Sequence, residues 1–422
     1  MGFPRGRRRF ALAVVALLAT AATAVIVHRV LAPAEVSTVA RGEYPAAAQP
    51  AAGVIGRLPV APLIVDERLR VYAAHRQVYA DRPVDGRHRT SPYWSYRRWP
   101  AELTGVVATG GTVVSRWSDG QLVALDAPTG RVLWRADGPV PAKSATVVRR
   151  TGAATVWEPR GLYLADLADG RTVLVATGDT QAGAVEVAGG RVLWRVDLPG
   201  GCRRDIGTTA SGQLIGLDGC AGPATVEFRD AATGAVGTRW RPPGGSDELV
   251  ATPLGCRTGR SDCSGLRTAG PGDAGGRGWL LGAGEPLAAP ALDPAGATLV
   301  DEQAVAIVDD GVAVGRSARD GSELWRSPAL GGAQVLAAQP GLVHLLTEAN
   351  DLVTLDPATG RQLSRFSMNV GSDGTGWAPG AVSAEDGYVA VERLRKPVDP
   401  EGDDQRYYLT AEAVILAAAR PR

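Results

Sequence analysis

The stretch GQLVALDAPTGRVLWR, Gly120–Arg135, decides the fold. Side chains alternate through Leu122–Asp126, which suits a strand within a sheet. Asp126 can accept hydrogen bonds from the backbone N–H groups of a following turn. Gly130 can take a positive φ without a Cβ penalty and so close a hairpin. Val132 and Trp134 then share one face of the returning strand. A Trp at that place buries a large area between neighbouring sheets.

The unit recurs. Its second half returns as RDAATG (Arg229–Gly234), RDGSELWR (Arg319–Arg326) and LDPATGRQLSRF (Leu355–Phe366). LADLADGRTVLV (Leu164–Val175) is a weaker copy, and WLLGAGEPL (Trp279–Leu287) a degenerate one. The turn glycines align as Gly130, Gly170, Gly234, Gly284, Gly321 and Gly360, with intervals of 40, 64, 50, 37 and 39 residues. A base period near 40 is the length of a four-stranded propeller blade. The repeat residues are Asp126, Gly130, Trp134, Gly170, Asp230, Gly234, Gly321, Trp325, Asp356 and Gly360. GRVLWR at Gly190–Arg195 repeats Gly130–Arg135 word for word. It falls outside the 40-residue register and reads as a hairpin within a blade.

Beyond Gly360, AVSAEDGYVAVERL (Ala381–Leu394) and YYLTAEAVILAA (Tyr407–Ala418) make an incomplete seventh blade. A strand from the other terminus would complete it and remove the open sheet edge. PLIVDERLRVYA (Pro62–Ala73) is the candidate. The expectation is an all-β propeller of about seven four-stranded blades, with eight as the alternative, spanning residues 62–422.

Composition agrees. Apolar residues make up 45% and charged residues 21% of 422, enough to bury a core. The 54 Gly and 29 Pro are spread along the chain, which favours short strands and tight turns over helical bundles. The net charge is +1, and Arg5, Arg7, Arg8 and Arg9 precede Phe10, so the remainder is slightly acidic. That balance argues against nucleic acid. Lys143 and Lys396 are the only lysines, a bias that reads as high-GC bacterial genome composition.

The N-terminus reads as three segments: a basic cytoplasmic stub over 1–9, an apolar span over 10–31, and an Ala/Pro-rich tether over 32–61. Phe10–Val27 contains no charge. As a helix its eighteen residues would cover about 27 Å, close to a bilayer core of ~30 Å. Arginines on one side place the rest outside the cytoplasm. The expectation is a single-pass cell-membrane anchor, a cleaved signal peptide being the alternative. Cys202, Cys220, Cys256 and Cys263 read as two disulfides in an exported chain. Three connectivities are open. Local pairing, Cys202–Cys220 and Cys256–Cys263, is favoured because each pair sits inside one of the two long intervals.

Ala124–Trp134 resembles the A-x-D-x-x-x-G-x-x-x-W pattern of PQQ-like propeller repeats, a family that includes quinoprotein dehydrogenases and the outer-membrane β-barrel assembly propeller. Asp126, Gly130 and Trp134 match in full. Gly321 and Trp325 match with Ser317 at the Asp position, and Asp356 and Gly360 match with Ser364 in place of Trp. The run Pro92–Pro100 is similar to one in membrane-anchored actinobacterial proteins with such repeats. The resemblance implies a propeller, also described as WD40/YVTN-like, on the extracytoplasmic side. It implies no activity, because these motif residues dock blades.

The sequence carries no catalytic signature. Adjacent cysteines, typical of the PQQ-dependent dehydrogenases, are missing, and so are a P-loop, a G-x-S-x-G elbow and paired metal-ligand histidines. No PQQ, calcium or other cofactor is expected. His344, in the apolar run GLVHLLT, reads as a core residue. Asp399-Pro-Glu401-Gly-Asp403-Asp404 reads as a solvated hairpin loop. The cluster Tyr93, Trp94, Tyr96, Arg97, Arg98 and Trp99 holds interface-type residues, against the plainer reading that it packs as a strand with arginines stacked on rings. The functional expectation is a non-enzymatic scaffold that binds an envelope protein, with the stapled insertions as its binding surface. The alternatives are a ligand-binding sensor and a quinone-dependent oxidoreductase.

Overall fold

The computed structural model describes residues 10, 12–23, 34–142, 152–245, 247–272, 275–308, 311–330, 332–371, 376–395 and 412–419. Within Gly120–Arg135 the expected hairpin forms. Gln121–Asp126 pairs antiparallel with Val132–Asp137, and the corner is closed by Gly130 N–H donating to the Asp126 carbonyl at 2.7 Å, with Gly130 at φ 70°. Leu103–Thr109 and Thr112–Trp117 complete that sheet. The same antiparallel order recurs around the ring.

Eight sheets form among the described residues, which matches the alternative count of eight and corrects the leading count of seven. Blade 1 runs from Leu63 to Trp99, blade 2 from Leu103 to Asp137 and blade 3 from Leu162 to Asp197. Blade 4 runs from Arg203 to Trp240, blade 5 from Val250 to Ala288, blade 6 from Thr298 to Ser327 and blade 7 from Gln334 to Ser367. Blade 8 joins Ala378–Glu385, Tyr388–Leu394 and Val414–Ala418 to Gly53–Leu58 from the far end of the chain. The first strand of each blade lies innermost, beside the first strands of its neighbours.

Residues 62–73 therefore do not close the ring. They supply Leu63–Val65 and most of Leu69–Ala74, the first two strands of blade 1. That blade was hidden because its corner is long. Thirteen residues separate Asp81 from Trp94, where eight separate Asp126 from Trp134. The closing strand, Gly53–Leu58, lies in the segment expected to be a tether. Ala34–Thr38, in the same segment, adds a fifth strand to the outside of blade 1 by pairing with Trp94–Trp99. Ala/Pro richness gave no periodicity here because Gly53–Leu58 is half-buried and Ala34–Thr38 fully exposed.

Residues 12–23 are helical. Twelve residues span about 18 Å. Among the described residues no helix is long and apolar enough to cross a membrane. The expected 10–31 span runs into residues 24–33, which lie outside them, as does the acidic run at 399–404.

Burial follows blade position. Middle strands are buried on both faces because a blade stacks on each side, so Leu122, Val123, Ala124 and Leu125 are all inaccessible. Outer strands keep the period-2 pattern, alternating half-buried and exposed through Val132–Asp137. Both disulfides pair locally, Cys202–Cys220 and Cys256–Cys263, and no cysteine is free.

Candidate functional site

The repeat motif works between blades. The Trp134 Nε1–H donates to the Val187 carbonyl of blade 3 at 2.7 Å, and a Cβ on Gly190 would meet the Trp134 ring at 2.6 Å. Trp94 sits in the same way over Gly130 and Ala127, Trp194 over Gly234 and Ala231, and Trp325 over Gly360 and Pro357. Each tryptophan packs against the next blade's glycine corner and satisfies its indole N–H there. Asp230 and Asp356 accept corner amides from Ala232 and Thr233 and from Ala358 and Thr359, at 2.7–3.2 Å. Asp126 accepts from the Thr129 hydroxyl.

Two register assignments change. Gly190 is the corner glycine of blade 3. Gly170 instead turns that blade's first hairpin, where a Cβ would meet nothing within 4 Å. With Gly190 in the series the longest interval falls between blades 2 and 3, so the longest insertion is not a cysteine-bearing one. Gly321 also has open space above it, because blade 5 offers no Trp at the docking position. Thr238, Ser364 and Gly56 take that position in blades 4, 7 and 8. At the ring's closing seam Gly56 lies against Gly86 of blade 1, where a Cβ would come within 2.3 Å of backbone.

The aromatic–basic cluster is mostly interior. Trp94 and Tyr96 are inaccessible, and Tyr93 and Arg98 are buried. Arg98 lies 5.3 Å from the Trp117 ring centroid and binds Asp119 through two bonds of 3.0 Å. Arg97 is exposed, and Trp99 is half-exposed beneath the Arg76 guanidinium at 4.0 Å. Blade packing and the added Ala34–Thr38 strand take most of this cluster off the surface. Glu35 holds that strand down by pairing with Arg135 at 2.6 Å and Arg98 at 3.4 Å.

Two insertions from different blades meet at the ring's inner strands. Residues 138–161 connect the outer strand of blade 2 to the inner strand of blade 3, and a one-turn helix, Ala153–Val156, packs there against the inner strand of blade 2. Trp157 donates its indole N–H to the Pro62 carbonyl at 2.7 Å. Antiparallel order puts this connection on one face of the ring. The Cys256–Cys263 loop is the first hairpin of blade 5 and enters from the other face. The two meet where Gly259 N–H donates to the Trp157 carbonyl at 2.8 Å and Arg260 pairs with Glu158 at 3.4 Å.

The stapled loop reaches across the ring. Arg257 pairs with Asp166 of blade 3 at 3.1 Å and with Asp262 at 3.0 Å. The Ser261 hydroxyl accepts from Leu164 N–H at 2.8 Å, Cys263 N–H donates to Thr208 of blade 4, and Thr258 lies 3.5 Å from Ser383 of blade 8. Burial pushes Glu385 up to about 6, against a hydrogen bond from Thr258 and the charge of Arg257. Burial likewise raises Asp262. Leu63, Val107, Ala108, Val156 and Leu164 wall the small space left, with Arg257, Thr258, Ser261 and Glu385 opposite.

A further charged group was not legible in the sequence. Glu227, buried in blade 4, accepts from Arg203 at 2.7 Å, Arg229 at 2.9 Å and Arg239 at 3.1 Å, while Arg203 also binds Asp205 at 2.9 Å. Arg203 and Asp205 on the first strand reach Glu227 on the third across Gly216 of the strand between them, and no motif spacing announces that. His344 is buried between the Gln339 amide at 2.8 Å and the Thr354 hydroxyl at 3.1 Å, as a core residue. Among the described residues no cluster of His, Cys, Asp and Glu could hold a metal ion.

Residues 87–159, the corner of blade 1 through all of blade 2, match the family model described as Outer membrane protein assembly factor BamB. The chain folds as a β-propeller, and within it residues 87–159 resemble a PQQ-like repeat. The propeller is similar to the crystal structure of BamB from Moraxella catarrhalis, at 15% identity and a TM-score of 0.43, covering 90% of this chain and 97% of that one. It is similar to the computationally designed Ika8 protein at 14% identity and a TM-score of 0.49, covering 86% and 99%. The quinohemoprotein alcohol dehydrogenase ADHIIG from Pseudomonas putida follows at 13% identity and a TM-score of 0.40, covering 85% and 72%. No curated protein sequence matches this chain.

Proposed function

We propose that this PQQ-like propeller is a non-enzymatic protein-interaction module held at the cell envelope. The observation that carries the reading is the meeting of two insertions at the ring's inner strands. Propellers take small ligands at the axis, and here two insertions from different blades occupy that space. The small space left between them favours a rim-binding reading over a small-ligand sensor or quinone-dependent chemistry at the axis. The usable surface is then the rim and its loops. Of the two stapled insertions, Cys256–Cys263 is spent inside the ring. The Cys202–Cys220 hairpin, with residues 219–223 exposed, stays available. It is the partner-binding surface in this reading.

Envelope placement rests on the sequence. The apolar run Phe10–Val27 follows four arginines, and two disulfides with no free cysteine suit an oxidising compartment. The test is crosslinking in native membranes, read by mass spectrometry, of the full chain against a variant with Ala221, Gly222 and Pro223 replaced by bulky polar residues, which leaves Cys220 and its staple in place. One defined partner, crosslinked to the hairpin and lost in the variant, supports the reading. Equal capture by both, or a chain recovered in the cytosolic fraction, overturns it.

A further inference from the structure

We propose that the Cys256–Cys263 loop is a thiol-releasable plug of the central channel. This does not depend on the partner reading. The two staples hold different things. Cys202–Cys220 ties the start of blade 4 to that blade's own exposed hairpin. Cys256–Cys263 closes a loop whose contacts lie outside its own blade: Asp166 and Leu164 in blade 3, Thr208 in blade 4, Ser383 in blade 8, and Trp157 in the opposing insertion.

The loop has the composition of a plug, not of a core. Arg257 and Arg260 already reach water, while Ser261 is buried and Thr258 and Asp262 are half-buried, so withdrawal newly solvates only these last three polar residues. The wall they leave is apolar at Leu63, Val107, Ala108, Val156 and Leu164, with the Glu385 carboxyl beside them. The loop's backbone is also held in an uncommon shape. Arg260 and Asp262 take φ of 57° and 52°, which non-glycine residues rarely adopt. A short covalent ring and a set of long-range polar contacts hold that shape together. Removing the covalent ring leaves the polar contacts alone to hold that shape, and in this proposal they do not suffice.

The chemistry is thiol–disulfide exchange with a dithiol, either a small molecule or a dithiol protein. One thiolate of the dithiol attacks Sγ of Cys256, the partly exposed member of the pair. A mixed disulfide forms, and Cys263 leaves as a thiolate. The second thiolate of the dithiol attacks the mixed disulfide and releases the Cys256 thiolate. Two electrons pass to the protein, and the dithiol ends as a disulfide.

The test uses the folded, oxidised full chain treated with dithiothreitol, with bond cleavage read by differential alkylation and opening read by hydrogen–deuterium exchange. We expect amides in 257–263 to exchange at least tenfold faster, and an apolar dye to gain fluorescence, while peptides of 342–355 in blade 7 stay unchanged. Cys256→Ser/Cys263→Ser should reproduce this without reductant. Cys202→Ser/Cys220→Ser should leave 257–263 protected. The proposal fails if the bond resists dithiothreitol in the folded protein. It fails if 257–263 stays protected after cleavage. It also fails if all blades lose protection together, because the staple then serves global stability and not a gate.

Discussion

A Cβ on Gly190 would sit 2.6 Å from the Trp134 ring, at a φ of 72°. Alanine there meets two costs, a left-handed backbone and a steric overlap with a ring held in place by its own hydrogen bond to Val187. Gly170 has a φ of 81° but open space, so it carries the first cost alone. Gly190→Ala should destabilise the propeller by about 3 kcal/mol and Gly170→Ala by about 1 kcal/mol. Denaturant midpoints check the pair, and equal losses would return Gly170 to the corner position. His344 offers a pH test. Burial lowers it to about 3, from an ordinary value of 6.5. As pH falls below 6.5 the unfolded chain takes up a proton that the folded chain refuses, so stability is lost towards acid. Relative to His344→Gln, the wild type should lose up to about 1.4 kcal/mol per pH unit between about pH 6 and 4. Parallel stability profiles for the two proteins would show that this imidazole does not titrate as its burial requires.

At the scale of elements, the outer strands explain how one short motif builds a ring. Each gives a Trp, or its replacement, to the next blade, and a bulge in the outer strand sets that side chain at the docking position. The strand Ala34–Thr38 is a different kind of element. All five residues are exposed, so it buries little and rests on backbone pairing and on Glu35. Burial alone would raise the Glu35 carboxyl, but hydrogen bonds from Arg135 and Tyr96 and the charge of Arg98 hold it below the usual carboxylate range. Glu35→Ala should release the strand while costing at most about 1 kcal/mol, since exposed ion pairs contribute little. Limited proteolysis within 34–39 should become fast, with the melting temperature nearly unchanged. Unaltered cleavage would show that backbone pairing alone suffices.

For the whole molecule, the decisive join is between residues 53–58 and 414–418. The ends of the chain share one sheet, so every blade has two neighbours and no inner edge is left open. A chain beginning at residue 51 should elute in gel filtration as the full chain does, corrected for its length, and unfold cooperatively. One beginning at residue 61 loses the outer strand of blade 8 and the Gly56–Gly86 seam, and should aggregate or melt at a much lower temperature. Gel filtration and thermal unfolding of the two chains decide this. Matching behaviour would mean that the ring does not need its closing strand.

Local chemistry settled what lies within one repeat. Asp126, Gly130 and Trp134 announce a strand, a corner and a docking strand, because turn geometry and period-2 burial act over a few residues. The two cysteine pairs followed the same local logic. Blade number escaped that logic, since blade 1 has a long corner and blade 8 draws its strands from both ends of the chain. So did the function of each staple. Cys202–Cys220 and Cys256–Cys263 look alike as spacing, yet one ties an exposed hairpin and the other seats charged residues at the ring axis. Only the closed ring brings Arg257 to Asp166 and Gly259 to Trp157, because those contacts join residues about a hundred positions apart that no local rule relates.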